Sequence, residues 1–249
     1  IEEKAKKVEG ITKTGRTHLM DAMPIDMSQE LMAWSSQLRV SQKSLTAVTD
    51  PLLALPQGGT AVGTGINAPP RFSREFAKEV SKIEKIKARP SKNFFHSLSS
   101  QDTSLRLSGE MRNLATVLMK ISNDLRWMNS GPLSGLGEIE LQALQPGSSI
   151  MPGKVNPVIP EAVTMVCAEV IGNDTTVAIA AQSGNFQLNV MLPVIAYNLL
   201  KSLNILSNAM SVLGNKAIKT FKINKSTIQE SVEKNPVLVT ALSPIIGYT

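Results

Sequence analysis

Apolar residues recur three and four positions apart over long stretches of this chain, a spacing that marks helical rods rather than strands. The cleanest run is Leu107, Met111, Leu114, Leu118, Ile121, Leu125 and Met128, closed by Gly131-Pro132. A second rod carries Leu31, Trp34, Leu38, Leu45, Val48 and Leu52. Ser28 is placed to cap it, Glu30 falls in its first turn, and it is expected to run to about Leu55 before Pro56. At 1.5 Å per residue such a helix is about 40 Å long. A third rod, over about 160–181, presents Val163, Val166, Cys167, Val170, Ile171, Val177 and Ala178. The fourth presents Leu192, Ile195, Leu199, Leu203, Leu206, Met210 and Leu213. Shorter helices are expected over residues 1–10, on Phe72, Phe76, Val80, Ile83 and Ile86, and over 219–232 and 236–242. Period-two alternation never extends beyond a few residues. The pattern therefore predicts an all-α fold, a long antiparallel helix bundle. The Leu- and Met-rich stripes cover more than one face, which favours assembly into a larger multi-helix core. No apolar run reads as long enough to span a bilayer, so no membrane partner is expected.

Charge narrows the picture. The 249 residues carry a formal net charge of +6, with lysines concentrated over 4–13 and 78–92 and interleaved with glutamates. Mixed signs on helices read as solvated faces. A nucleic-acid surface would show one sign with aromatics between, and aromatics are only 4% of this chain, so no nucleic-acid partner is expected. The positive surplus can steer an acidic small molecule. The single cysteine, Cys167, excludes an internal disulfide framework and sits on an apolar stripe, as a buried inert thiol does. It fits a reducing compartment, the cytoplasm or, in a eukaryote, the mitochondrial matrix. Neither of the two histidines, His18 and His96, has partners at metal-ligand spacing, so no metal is expected. The chain opens on Ile1 in a Glu/Lys-rich stretch and closes on Tyr248-Thr249 without punctuation, which is read as a piece of a longer protein.

Chemistry concentrates in the loops. Pro146-Gly147-Ser148-Ser149-Ile150-Met151-Pro152-Gly153-Lys154-Val155-Asn156-Pro157 places two hydroxyls, an ammonium and an amide just before a long helix. Free N–H groups and the positive end of the helix dipole make such a junction a natural anion site. Residues 14–25 are a polar connection holding hydroxyl, imidazole and guanidinium groups together. Residues 57–65 are glycine-rich but match neither the dinucleotide fingerprint nor the phosphate-binding loop. They fit equally a close approach of backbone between rods and a ligand-facing loop.

The loop at Ser148 resembles the Gly-Ser-Ser-x-Met-x-x-Lys-x-Asn-Pro signature of the fumarase/aspartase superfamily. Gly15-Arg16-Thr17-His18-Leu19-Met20-Asp21-Ala22, Gly58-Gly59-Thr60-Ala61-Val62-Gly63-Thr64-Gly65 and Ser183-Gly184-Asn185-Phe186-Gln187-Leu188-Asn189-Val190 look like its class II fumarase branch. The resemblance runs from about Gly10 to Tyr248. It implies a central long-helix domain over 1–236 that tetramerises, the start of a small C-terminal domain over 237–249, and an N-terminal domain that no part of this chain matches. It also implies reversible hydration of fumarate to L-malate by anti addition and elimination through an aci-carboxylate, without cofactor. Carried over by position, Ser148 is the base that takes a proton beside a carboxylate. Lys154 and Asn156 bind the substrate carboxylate and its aci form. Thr17 and His18 belong to the opposite side of a site shared between subunits, and Glu161 pairs with that histidine.

Met20 stands where the family usually has Gln, and Leu133 where an arginine is common after Gly-Pro. Two other functions are implied as alternatives. Val158-Ile159-Pro160 and Asn173-Asp174-Thr175-Thr176-Val177 lean toward aspartate ammonia-lyase, whereas Thr17-His18 and Gly184-Asn185-Phe186 lean toward fumarase. A chain without the N-terminal groups can also act only as an inactive helical oligomerisation core, and this chain alone is expected to lack a complete site.

Overall fold

The computed structural model describes residues 1–145 and 150–237. Four long helices dominate it: α2 (Met27–Leu52), α5 (Asp102–Met128), α6 (Val158–Ala181) and α7 (Leu192–Val212). Four shorter ones, α1 (Glu2–Lys7), α3 (Phe72–Glu84), α4 (Phe94–Ser99) and α8 (Lys225–Glu233), stand between or beside them. A π-helical turn, Leu213–Ile218, continues α7. Six short strands form three two-stranded pairs. The fold is all-α, as the apolar periodicity predicts.

The chain divides into two compact units. The first takes Ile1–Arg39, Val117–Met165 and the chain from Asn208. It thus holds the N-terminal ends of α2 and α6 with the C-terminal ends of α5 and α7, the alternation of antiparallel neighbours. Its core is Leu31 and Trp34 of α2, Leu118, Ile121 and Leu125 of α5, Val163, Leu213 and Phe221, all buried. The second unit, Val40–Thr116 and Val166–Ser207, holds the other ends. There Val177 and Ala180 of α6 pack on Ile195 of α7, with Val194 and Leu199 beside them.

Several boundaries differ from the pattern-based expectation, each for a local reason. The cap of α2 is Asp26, not Ser28. Asp26 Oδ1 accepts from the Ser28 amide at 2.7 Å while Gln29 Oε1 accepts from the Asp26 amide at 3.0 Å, a reciprocal capping box. Pro51 lacks an N–H and disfavours helical geometry in the residue before it, so α2 stops at Leu52 rather than Leu55. Ala54–Leu55 (β3) instead pairs in parallel with Arg89–Pro90 (β4). Helix α3 ends at Lys85, whose φ of 55° turns the chain out of the helix and leaves Ile86 beyond it. The helix expected over 219–232 begins only at Lys225, because Lys222–Ile223 (β6) is drawn into a ladder with Ile139–Glu140 (β5). Of the expected 236–242 helix, residues 238–242 lie outside the described residues, as does the expected small domain beyond residue 237.

The largest difference lies at residues 12–26. The polar connection is a β-hairpin, Thr12–Thr17 (β1) with Met20–Asp26 (β2), in antiparallel register with Thr17 opposite Met20. Its strands are too polar for hydrophobic alternation to reveal, since β1 reads Thr-Lys-Thr-Gly-Arg-Thr. Helix α6 also departs from expectation. Its 24 residues reach a mean hydropathy of 1.3 in one window, so by length and composition it could cross a membrane. A soluble core helix passes the same test, and α6 buries Val163, Cys167, Val170, Val177 and Ala180 along one stripe.

Candidate active site

The loop residues 150–157 lead into α6, where Pro160 occupies the first turn, the helical position at which a missing N–H costs least. The Lys154 amide donates to Met151 O at 3.2 Å, and the Val158 amide to Asn156 O at 2.9 Å. These turns set Lys154, Asn156 and Glu161 on one wall of a cleft of about 850 Å³ within the first unit. The size suits a small ligand. The facing walls come from the end of α5 (Asn123, Arg126, Trp127), the Gly131-Pro132 turn, and Ile139 to Leu141. Two cations, Arg126 and Lys154, thus share one cavity with the amides of Asn123, Asn129, Asn156 and Asn224. Cations and amide donors together are what a small carboxylate needs. Glu161 sits in the first turn of α6, where the dipole favours its negative charge.

The other half of the expected set lies elsewhere. Thr17 and His18 are exposed at the tip of the β1–β2 hairpin and do not line the cleft. His18 and Leu19 have φ of 56° and 61°, as a two-residue type I′ turn requires. Neither is glycine, so the tip holds a conformation that L side chains adopt at a cost, a state common at functional positions. Among the described residues, no ion pair joins His18 to Glu161 within one chain. Ser148 and its neighbours 146–149 lie outside the described residues. Three of the six expected residues are therefore gathered in one cleft, two stand together on a hairpin tip, and one is not described.

Periodicity gave no warning of a buried charge cluster under the hairpin. Lys13 and Glu138, both almost fully buried, meet there with Glu30 and Arg16. Lys13 Nζ lies 2.8 Å from Glu30 Oε2 and 2.6 Å from Glu138 Oε2. The second contact falls outside hydrogen-bond angles. At that separation the attraction of two full charges remains, because it does not depend on direction. Arg16 Nη1 donates to Glu138 Oε1 at 2.7 Å. The available signal was the pair of opposite charges in otherwise apolar or glycine-rich contexts, Lys13 and Glu138.

A model of the family described as lyase matches residues 1–172. The chain belongs to that lyase family. It is 58% identical over 248 residues to a protein called fumarate hydratase class II 2 from Pseudomonas aeruginosa, covering all of this chain and 54% of that relative. A class II fumarate hydratase of Xylella fastidiosa is 56% identical, again over the whole chain and 52% of its own length. The crystal structure of a class II fumarase from Schistosoma mansoni superposes with a TM-score of 0.97 at 38% identity, over 99% of this chain and 55% of that one. The chain spans about half the length of the curated relatives it matches. Within the lyase family its fold is therefore that of the fumarases over the part it spans.

Proposed function

We propose that the full-length protein hydrates fumarate reversibly to L-malate, without a cofactor, as a homotetramer whose sites are shared between copies. The observation that carries this reading is the gathering of Lys154, Asn156 and Glu161 in one cleft at the start of α6. In the dehydrating direction a base removes a proton from the malate carbon next to a carboxylate. The electron pair moves into that carboxylate, giving the doubly charged aci form. It then returns to form the double bond as the neighbouring hydroxyl takes a proton and leaves as water. Ser148 is the proposed base, activated by Lys154 and the helix end. Lys154 and Asn156 oppose the charge that develops on the aci-carboxylate. Glu161 of one copy pairs with His18 of another, and that pair holds the departing water, with Thr17 binding substrate beside it. A reducing compartment, the cytoplasm or the mitochondrial matrix, accompanies the reading, as does the division into a central domain over 1–236 and a small C-terminal domain from 237.

The deciding assay follows fumarate absorbance with the full-length protein supplied with malate and, separately, with aspartate. Malate turnover without aspartate turnover is the expected result, and aspartate turnover alone overturns the reading in favour of an ammonia-lyase. Ser148→Ala should remove most malate turnover while the assembled size stays unchanged.

A further inference from the structure

The buried cluster beneath the hairpin ties together two elements that the proposed chemistry keeps apart. Lys13 and Arg16 belong to β1, which ends in Thr17 and leads directly to His18. Glu138 precedes β5, and Ile139, Glu140 and Leu141 line the same cleft as Lys154, Asn156 and Glu161. Among the described residues, no other ion pair joins the hairpin to this segment. The backbone of Glu138 is itself pinned, since its carbonyl accepts from the Asn224 amide at 3.0 Å and the Asn224 side chain donates to Gly137 O at 2.7 Å. The segment that carries this wall of the cleft is thus held by Asn224, and the hairpin is held to that segment by the Glu138 carboxylate. Each Glu138 oxygen meets a different cation of β1: Oε1 takes Arg16 and Oε2 takes Lys13. A two-point grip fixes both distance and rotation, which one point does not. Arg16 and Lys13 lie on either side of the β-bulge between Thr14 and Arg16, so the grip spans the one irregular step of the hairpin. Gly15 sits at that step, and a Cβ there would come within 2.5 Å of Met23 O.

We propose that Glu138 is a positioning residue, whose buried carboxylate holds the Thr17-His18 hairpin and the cleft wall in one fixed relation within each chain. The inference rests on the proposed hydratase reading for its kinetic consequence, because the hairpin tip and the cleft of one chain would serve two different shared sites. Loss of the grip displaces the imidazole side of each site but leaves Lys154 and Asn156 on their wall. Turnover should therefore fall further than substrate binding, which loses Thr17 but keeps Lys154 and Asn156.

The test uses the full-length protein with two variants, Glu138→Gln and the double change Lys13→Met with Glu138→Met. The double change replaces the buried charges by apolar groups of similar volume, which restores packing without restoring the grip. Both are compared with wild type for thermal midpoint, assembled size, kcat and KM for malate, and amide exchange. An ångström-scale displacement of a reacting group can cost about a hundredfold in rate, so a fall in kcat of at least tenfold, larger than the accompanying rise in KM, is expected for both variants. Exchange should rise together in peptides covering 12–26 and 137–141, with the centre of α5 unchanged. A double variant that is stable and retains wild-type kcat overturns the proposal, because the cluster would then be a packing feature only. So does a kcat loss that merely tracks loss of folded tetramer, or exchange that rises in one segment alone or throughout the chain. If wild type turns over neither malate nor fumarate, the hydratase reading fails by itself, and the exchange pattern still decides whether Glu138 couples hairpin and wall.

Discussion

Single side chains decide several local outcomes in this chain. Asp26 does so at the start of α2, where it accepts from both the Ser28 amide and, through Oδ2, the Gly10 amide at 2.7 Å. The Ser28 side chain first holds its carboxyl below the ordinary value of 3.8; burial opposes this, and the Ser28 and Gly10 amides add smaller lowering effects. A carboxyl depressed in the folded state contributes stability that is complete above the unfolded value and fades as pH falls through the folded one. Asp26→Ala should therefore cost about 1 kcal/mol at neutral pH. Urea unfolding of both proteins at pH 7 and again near pH 3 checks this, and the gap should narrow at the lower pH. A gap independent of pH would mean that the charge is not what caps the helix. Cys167 is the opposite case. It is fully buried in α6, and burial alone pushes its thiol up to about 11. A thiol reagent at pH 8 should leave it untouched in the native protein and label it at once in denaturant.

Elements were legible from sequence in proportion to how much apolar surface they bury. The four long helices follow from residues such as Trp34, Leu118, Ile121 and Val177, which are buried on single stripes. The β1–β2 hairpin was not legible, because its buried positions, Lys13, Thr14 and Gly15, are not apolar and its stability comes from paired charges and a ladder. The site split along the same line. Lys154, Asn156 and Glu161 were found through a motif local in sequence, whereas Arg126, Asn129 and Asn224 reach the same cleft from distant segments and carry no local signal. The polar loop after α6 proved to be a helix end in disguise, with buried Asn189 donating to Ala180 O and Ala181 O at 3.0 and 3.1 Å. The glycines of 57–65 serve a close approach: a Cβ on Gly63 would lie 2.9 Å from the Phe95 backbone and ring. Between elements of the second unit, buried Asp174 of α6 is held by α5. Ser108 donates to Oδ1 at 2.6 Å and Arg112 to Oδ2 at 2.8 Å. Arg112→Ala strands that carboxylate, but the arginine is half exposed and water can partly replace it. A loss of about 1–2 kcal/mol is expected. A double-mutant cycle with Asp174→Asn should show coupling, and additivity would mean that the two residues act independently.

At the scale of the whole molecule, the hairpin tip and the cleft raise one question: whether a functional site is made within a chain or between chains. The Thr17-His18 tip is exposed and absent from the cleft lining, while Lys154, Asn156 and Glu161 line it. If a tetramer brings the tip of one copy to the cleft of another, each site needs an intact hairpin from one chain and an intact loop from a second. Inactive full-length variants His18→Ala and Ser148→Ala then carry complementary lesions. Unfolded together in equal amounts and refolded, they assort at random among assemblies. Any one site draws a sound hairpin half the time and a sound loop half the time, so roughly a quarter of sites recover both when the contributing chains differ. Malate turnover near a quarter of wild type after co-refolding, from two variants that are each inactive when refolded alone, is the expected outcome. Sites built within single chains would give none, because every chain carries one of the two lesions. The distinction survives partial refolding yields, since wild type refolded in parallel sets the scale and each variant refolded alone sets the floor.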